Sequence, residues 1–366
     1  MDIRSRIEKF KNNMKTAGMV AALGTMTLNS SAQTVTKDKQ ENKIEVVEKS
    51  NEFSEYYAEA IVNNNIENVK QLIASGKDFN ADETVYKDEV VVGVVGYKEG
   101  KSIYPPAIFM AARYNDFEMA EILLKAGANP NYKSEVFNGT TSVFWARSLE
   151  MLQLLEKYGA DMNAKDNDGY QALSRMADIV GTHEEVYNWN TERAEFLVEK
   201  GNSLDNLKYF TPDNAERTKF CVEKSVDFDM DYAVGTAVNV GTVEDLKILL
   251  KNGGAKFINV GNDNEVYSSP FETAILSMLF TEEDMHWAKD NNGFYGITPM
   301  EDLKKSWEDD KKKVELMISY GADFSNIPEI LKLGDGVEAH PETNKFVKQA
   351  EAKQAQLNKM KQNQGR

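Results

Sequence analysis

The side chains that most often carry chemistry are few and scattered in this chain. Its three histidines, His183, His286 and His340, stand alone, with no H-x-x-x-H or C-x-x-C spacing to bring nitrogen or sulfur ligands to one metal. The single cysteine, Cys221, excludes an internal disulfide and a four-thiolate zinc site. With Phe220 and Val222 beside it in an apolar row, it reads as a buried, inert thiol. Asp227, Asp229 and Asp231 alternate as in a calcium loop, but Tyr232 stands where the glycine is required and Val238 where the closing glutamate is required. One acid–base cluster remains, Glu282, Glu283, Asp284 and His286. Carboxylates beside an imidazole can move protons, although consecutive placement on one polar stretch suits a solvated helix start. Serine nucleophile elbows, phosphate-cradling glycine loops and paired-cysteine redox motifs are absent. No cofactor, no metal and no catalysis are expected. An enzyme with its site in residues 281–312 is the alternative.

Composition narrows the remaining classes. Lys+Arg 43 against Asp+Glu 59 gives a net charge of −16, the wrong sign for a binder of phosphate backbones, so nucleic acid is not an expected partner. Mean hydropathy is −0.53, and no apolar run approaches the roughly 18 residues of a membrane helix. A 41 % hydrophobic content over 366 residues is enough for a substantial core.

Residues 1–32 differ from the rest. Arg4, Arg6, Lys9, Lys11 and Lys15 against Asp2 and Glu8 give +3, followed by the apolar stretch TAGMVAALGTMTL and then NSSAQT. Small residues Ser30 and Ala32 precede Gln33, so the order basic, apolar, small is that of a secretory signal peptide cut after Ala32. The expected location is periplasmic or secreted, with cytoplasmic as the alternative. Residues 33–52 are an extension or linker.

The body of the chain repeats itself. An apolar helical run ending in small-Gly-Ala-polar-x-Asn occurs as EMAEILLKAGANPN (118–131) and EMLQLLEKYGADMN (150–163), with further copies at ENVKQLIASGKDFN and VELMISYGADFSN. Weaker copies carry Gly201, Ser225 and Gly253 in the anchor slot. Apolar residues three and four apart bury one helix face, and the glycine ends the helix in the left-handed conformation. A second short helix precedes several copies: PAIFMAA, TSVFWA, QALSRMA and SPFETA. TSVFWA and SPFETA resemble the T-P-L-H-x-A signature of the ankyrin repeat, whose period is about 33 residues, and DNDGYQALSRMA matches that family's turn. None of the copies keeps the histidine, so the hydrogen bonds that it gives between neighbouring turns must be missing or replaced.

The resemblance implies an all-α, ankyrin-type helical solenoid over 53–326, about seven irregular repeats, closed by a C-terminal cap and polar helical tail at 327–366. Anchor spacings of 51, 32, 42, 24, 28 and 68 mark insertions at 85–104, 178–190 and 281–312, the first a β-hairpin of two valine-rich runs meeting around Gly93 and Gly96. The short spacings around Ser225 imply a first helix reduced to one turn. Helix pairs of this size bury their apolar faces only against neighbours. The family holds its ligands on projecting turns and on the x position of the first helices. Carried over, that x is Met110, Trp145, Arg175 and Thr273, and the turn residues are Tyr132, Phe137 and Tyr170. The expected function is non-catalytic binding of another protein by a monomeric chain. A structural part in a cell-envelope assembly is a further alternative.

Overall fold

Apolar residues at helical spacing, a polar cap before them and a glycine after them recur along the chain, and each recurrence folds as one short helix. The computed structural model describes residues 54, 56–85, 96–98, 101–177, 189–261, 269–290, 294–295, 298–325, 327 and 340–364. The expected signal segment, the 33–52 extension, the valine run ahead of Gly96 and most of the 178–190 insertion lie outside the described residues.

The described chain forms two compact units, divided between Phe228 and Asp229. In the N-terminal unit, helix pairs follow one another: α1 (Tyr57–Val62) with α2 (Ile66–Ala74), α3 (Ala107–Arg113) with α4 (Phe117–Lys125), and α5 (Ser142–Trp145) with α6 (Leu149–Lys157). Next come α7 (Ala172–Ala177) with α8 (Thr191–Glu199), and a 3-10 turn (Asp205–Tyr209) ahead of α9 (Ala215–Glu223), the one-turn first helix expected before Ser225. Each first helix touches its sequence neighbours, α1 with α3, α3 with α5 and α5 with α7. All seven residues of α3 are buried because other helices cover it on several sides. One core cluster runs from Tyr57 to Val226.

The second helices share a frame. Asn65, Asp116, Ser148, Asn190 and Asn214 each accept the backbone N–H three residues on, satisfying a donor that the first helical turn leaves open. Eleven residues after each cap the chain turns left-handed, at Gly76, Gly127, Gly159, Gly201 and, without a glycine, at Ser225 (φ 54°). The asparagines that close the motif link neighbours. Asn80 Oδ1 accepts Asn129 N–H (2.6 Å), Asn131 Oδ1 accepts Asp161 N–H (2.7 Å) while its amide donates to the Gly159 carbonyl, and the Asn163 amide donates to the Lys200 carbonyl. This ladder supplies inter-repeat bonds where the family's histidine is absent.

Of the segment expected to form a hairpin at 85–104, only residues 85, 96–98 and 101–104 are described. Strand β2 (Gly96–Lys98) pairs antiparallel with β3 (Lys101–Tyr104), Lys98 opposite Lys101, and β1 (Glu83–Val85) pairs with β3, while the turn expected around Gly93 lies outside the described residues.

The C-terminal unit holds α10 (Met230–Asn239) with α11 (Val243–Lys251), then a 3-10 turn (Gly254–Phe257), α12 (Pro270–Asp290), β4 (Phe294–Tyr295), β5 (Thr298–Pro299), α13 (Met300–Ser319) and α14 (Pro341–Gln364). Thr242 caps α11 in a reciprocal box with Asp245, and Gly253 follows eleven residues later. The rung Asn259–Gly321/Asp323 repeats the ladder here. Residues 281–312, apart from 291–293 and 296–297 which lie outside the described residues, form the end of α12, strands β4 and β5 and the first part of α13. No proline or glycine interrupts TEEDMHWAKD or MEDLKKSWEDDKKK, so the first helix extends to Asp290 and the second begins at Met300.

Candidate functional site

Ankyrin-like turns project from the N-terminal unit where the chain reverses ahead of each first helix. Ser134 bridges Thr140 and Lys165 bridges Gln171, making two short fingers that follow the three-stranded sheet. The first finger reverses through Asn138 (φ 57°) and Gly139 (φ 71°), a left-handed conformation that favours glycine, and an added Cβ at Gly139 would push aside the end of the Asn167 side chain (Oδ1 at 2.2 Å).

Side chains tie finger to finger. Ser134 Oγ donates to Asp82 (2.6 Å), the Asn138 amide to Asp168 (2.7 Å) and Lys133 Nζ to the Lys165 carbonyl (3.0 Å), while Asn167 N–H donates to the Asn138 carbonyl. Within the second finger, Arg175 reaches back from α7. Its Nε donates to Asp166 (2.6 Å), its Nη2 to Asp168 (2.7 Å), and its guanidinium lies 4.6 Å from the centre of the Tyr170 ring. Hydrogen bonds from Arg175 and then Asn138 hold the Asp168 carboxyl below the ordinary carboxylate range. Burial alone would lower the Arg175 guanidinium, but its bonds to Asp166 and Asp168 raise it on balance. Tyr170 is left 37 % exposed on a turn fixed by an arginine fork.

The expected binding residues divide accordingly. Tyr132, Phe137, Tyr170 and Arg175 sit on or against the fingers. Tyr132 and Phe137 are half-buried, and the Tyr132 hydroxyl is raised by burial and then by the Asp82 carboxylate. Met110, Trp145 and Thr273 are corrected: all three are buried and offer no contact surface. Met110 is enclosed because all of α3 is. Trp145 packs at 5.9 Å from the Phe109 ring and edge-on at 5.3 Å from Phe137, and its Nε1 donates to Thr140 Oγ1. Thr273 lies in the buried first turn of α12, in the other unit.

The acid–base alternative loses its central carboxylate. Glu282 is 2 % exposed, and its two oxygens accept the backbone N–H groups of Glu342 and Thr343, each at 2.9 Å. It caps another helix. Cys221 is fully buried, and burial pushes its thiol up to about 12 against the opposing pull of Arg217, which makes it a poor nucleophile at neutral pH. Among the described residues, no group of three or more His, Cys, Asp or Glu side chains could hold a metal ion, and no helix is long and apolar enough to cross a membrane.

Two features escaped the sequence reading. The caps at Asn65, Asp116, Ser148, Asn190, Asn214 and Thr242 were readable as polar residues at a constant distance before the anchor. A buried donor three residues beyond the position eleven before an anchor, Arg193 after Asn190 and Lys313 after Asp310, was not. Arg193 Nη1 bonds the Ala146 carbonyl (2.5 Å) and, in the other unit, Lys313 Nζ bonds the Val238 carbonyl (2.7 Å), and in each case the acceptor stands at or beside the end of a first helix.

The chain matches none of the curated proteins with which it was compared. A family model described as ankyrin repeats matches residues 57–166 in three copies. Such repeats are generally protein–protein interaction modules and typically non-catalytic. The helix pairs, left-handed glycines and paired fingers over this span agree with that match, and residues 57–166 of the chain are ankyrin repeats.

Proposed function

We propose that this chain is a non-catalytic module that binds another protein through the finger row of its N-terminal unit, with Tyr132, Phe137 and Tyr170 as contact residues and Arg175 as the residue that positions Tyr170. The observation that carries this reading is Tyr170 itself. A large aromatic ring stands part-exposed on a turn already fixed by two carboxylate bonds, so little ordering is left to be done on binding. Trp145, which the family pattern offered as an anchor, belongs to the core beneath the fingers. The basic, apolar, small order of residues 1–32 supports an exported, periplasmic or secreted chain.

Affinity capture from the native compartment tests the reading. Tyr170→Ala lowers recovery of the partner about tenfold. Arg175→Lys, which keeps the charge but loses the fork, gives a smaller loss. Equal recovery by both variants and the wild type would remove the finger row as the site. The N-terminus of the captured chain begins at Gln33 if export is correct.

A further inference from the structure

Asparagine followed by glycine is the dipeptide most prone to lose its side-chain amide, because glycine has no side chain to keep its nitrogen from the asparagine Cγ. The chain holds three such pairs, Asn138–Gly139, Asn252–Gly253 and Asn292–Gly293, of which the last lies outside the described residues. The other two stand in different surroundings. At the first, Gly139 is buried and its N–H donates to the Ser134 carbonyl (2.7 Å), while the Asn138 amide donates to Asp168 (2.7 Å). Both reacting groups are tied, one within its own finger and the other to the next. At the second, Asn252 and Gly253 are both exposed, and the Gly253 N–H has no hydrogen-bond acceptor among the described residues. Only the Asn252 amide is held, by donation to the Ile248 carbonyl (2.7 Å) one turn back in α11. That bond lies in the last turn of the helix, where opening is local and does not require the unit to unfold.

We propose that Asn252 is a modification site, losing its amide spontaneously in the folded chain, and that Asn138 is spared by its finger. The Gly253 nitrogen gives up its proton and bonds to Asn252 Cγ, the bond from Cγ to the amide nitrogen breaks, and ammonia leaves with that proton. The product is a five-membered cyclic imide. Water opens it at one carbonyl to aspartate or at the other to isoaspartate, in which the main chain runs through one more carbon. Nothing is oxidised or reduced, and water is the only co-reactant. Either product carries a carboxylate in place of the amide, gives up the bond to Ile248 and sets a negative charge at the negative end of the α11 dipole. Isoaspartate also lengthens the backbone just ahead of Gly254, which is buried so closely against α10 and α11 that an added Cβ would stand 2.7 Å from Val234 Cγ2 and 2.8 Å from the Leu249 carbonyl oxygen. The extra length has no room there, so the modification loosens α11 against α10.

Peptide mapping by mass spectrometry after incubating the full chain in mildly alkaline buffer tests this, with isoaspartate scored by enzymatic methylation. In the folded chain Asn252 should convert about tenfold faster than Asn138, the difference that one or two hydrogen bonds supply. In concentrated urea the two rates should converge. In the modified fraction, amide hydrogen exchange over residues 249–252 should accelerate while α9 keeps its protection. No conversion at Asn252 in the folded chain, or conversion no faster than at Asn138, would overturn the proposal. So would a rate difference of the same size in urea, since it would come from the flanking residues and not from the fold. Unchanged exchange over 249–252 in the modified fraction would overturn the loosening of α11.

Discussion

The N-terminal unit and the final helix pair of the C-terminal unit use the same eleven-residue frame to opposite ends. In the former, a polar cap opens each nine-residue second helix and a left-handed residue closes it. Counting back eleven from Gly321 reaches Asp310, which lies inside the continuous helix α13 instead of ahead of it. A carboxylate that would cap a helix start is therefore buried mid-helix. It accepts from Ser277 Oγ (2.6 Å) and lies 4.0 Å from Lys313. The lesson is that the anchor glycine, set by backbone conformation, survives elongation, whereas the cap depends on where the preceding turn falls and is turned to a different use.

Several substitutions would break or sharpen that contrast. The largest effect belongs to Trp145→Ala, which empties the space beneath the fingers and costs the N-terminal unit about 3–5 kcal/mol in urea unfolding. A small loss would return Trp145 to the surface and contradict its burial. Asp116→Ala removes a working cap and costs about 1 kcal/mol, read by the same method. Ser225→Gly relieves a left-handed residue that is not glycine and stabilises by up to about 1 kcal/mol. A loss at that position would mean that the serine makes a compensating contact.

Asp310→Asn gives the subtlest readout, a dependence on pH. Burial raises the Asp310 carboxyl above its ordinary value, more than the Ser277 bond and the Lys313 charge lower it. A carboxyl raised in the folded state carries a cost when ionised, present at neutral pH and relieved as pH falls through the raised value. The stability of the wild type relative to Asp310→Asn should therefore rise as pH falls from neutral through the raised value. For Asp168, which is held below the ordinary range, the sign is opposite: its contribution is present at neutral pH and is lost as pH falls through its lowered value.

Much of the fold was legible because its signals are local. The apolar period of EMAEILLKAG, the glycine at 127 and the short PAIFMAA ahead of it fixed a helix, its end and its partner without reference to anything distant. The one-turn first helix before Ser225 followed from spacing alone. The site was less legible. Position in the motif marks Met110 and Trp145 as groove residues, but their exposure depends on which neighbours cover them, and Phe109 and Phe137 close over Trp145 from outside its own helix. The spacing between anchors records the added length at 281–312 but not that it lengthens the two flanking helices. Glu282 appeared as one of a polar run because its partners lie sixty residues on, at Glu342 and Thr343.

The finger row is tested most directly by comparing two exposed aromatic sites of the N-terminal unit. Tyr170 stands on a finger, whereas Phe117, 39 % exposed, opens helix α4. Quantitative capture from the native compartment with Tyr170→Ala and, in parallel, Phe117→Ala is expected to lose the same partner about tenfold in the first and to retain it in the second. Retention by Tyr170→Ala with loss by Phe117→Ala would contradict the account and move the binding surface off the fingers.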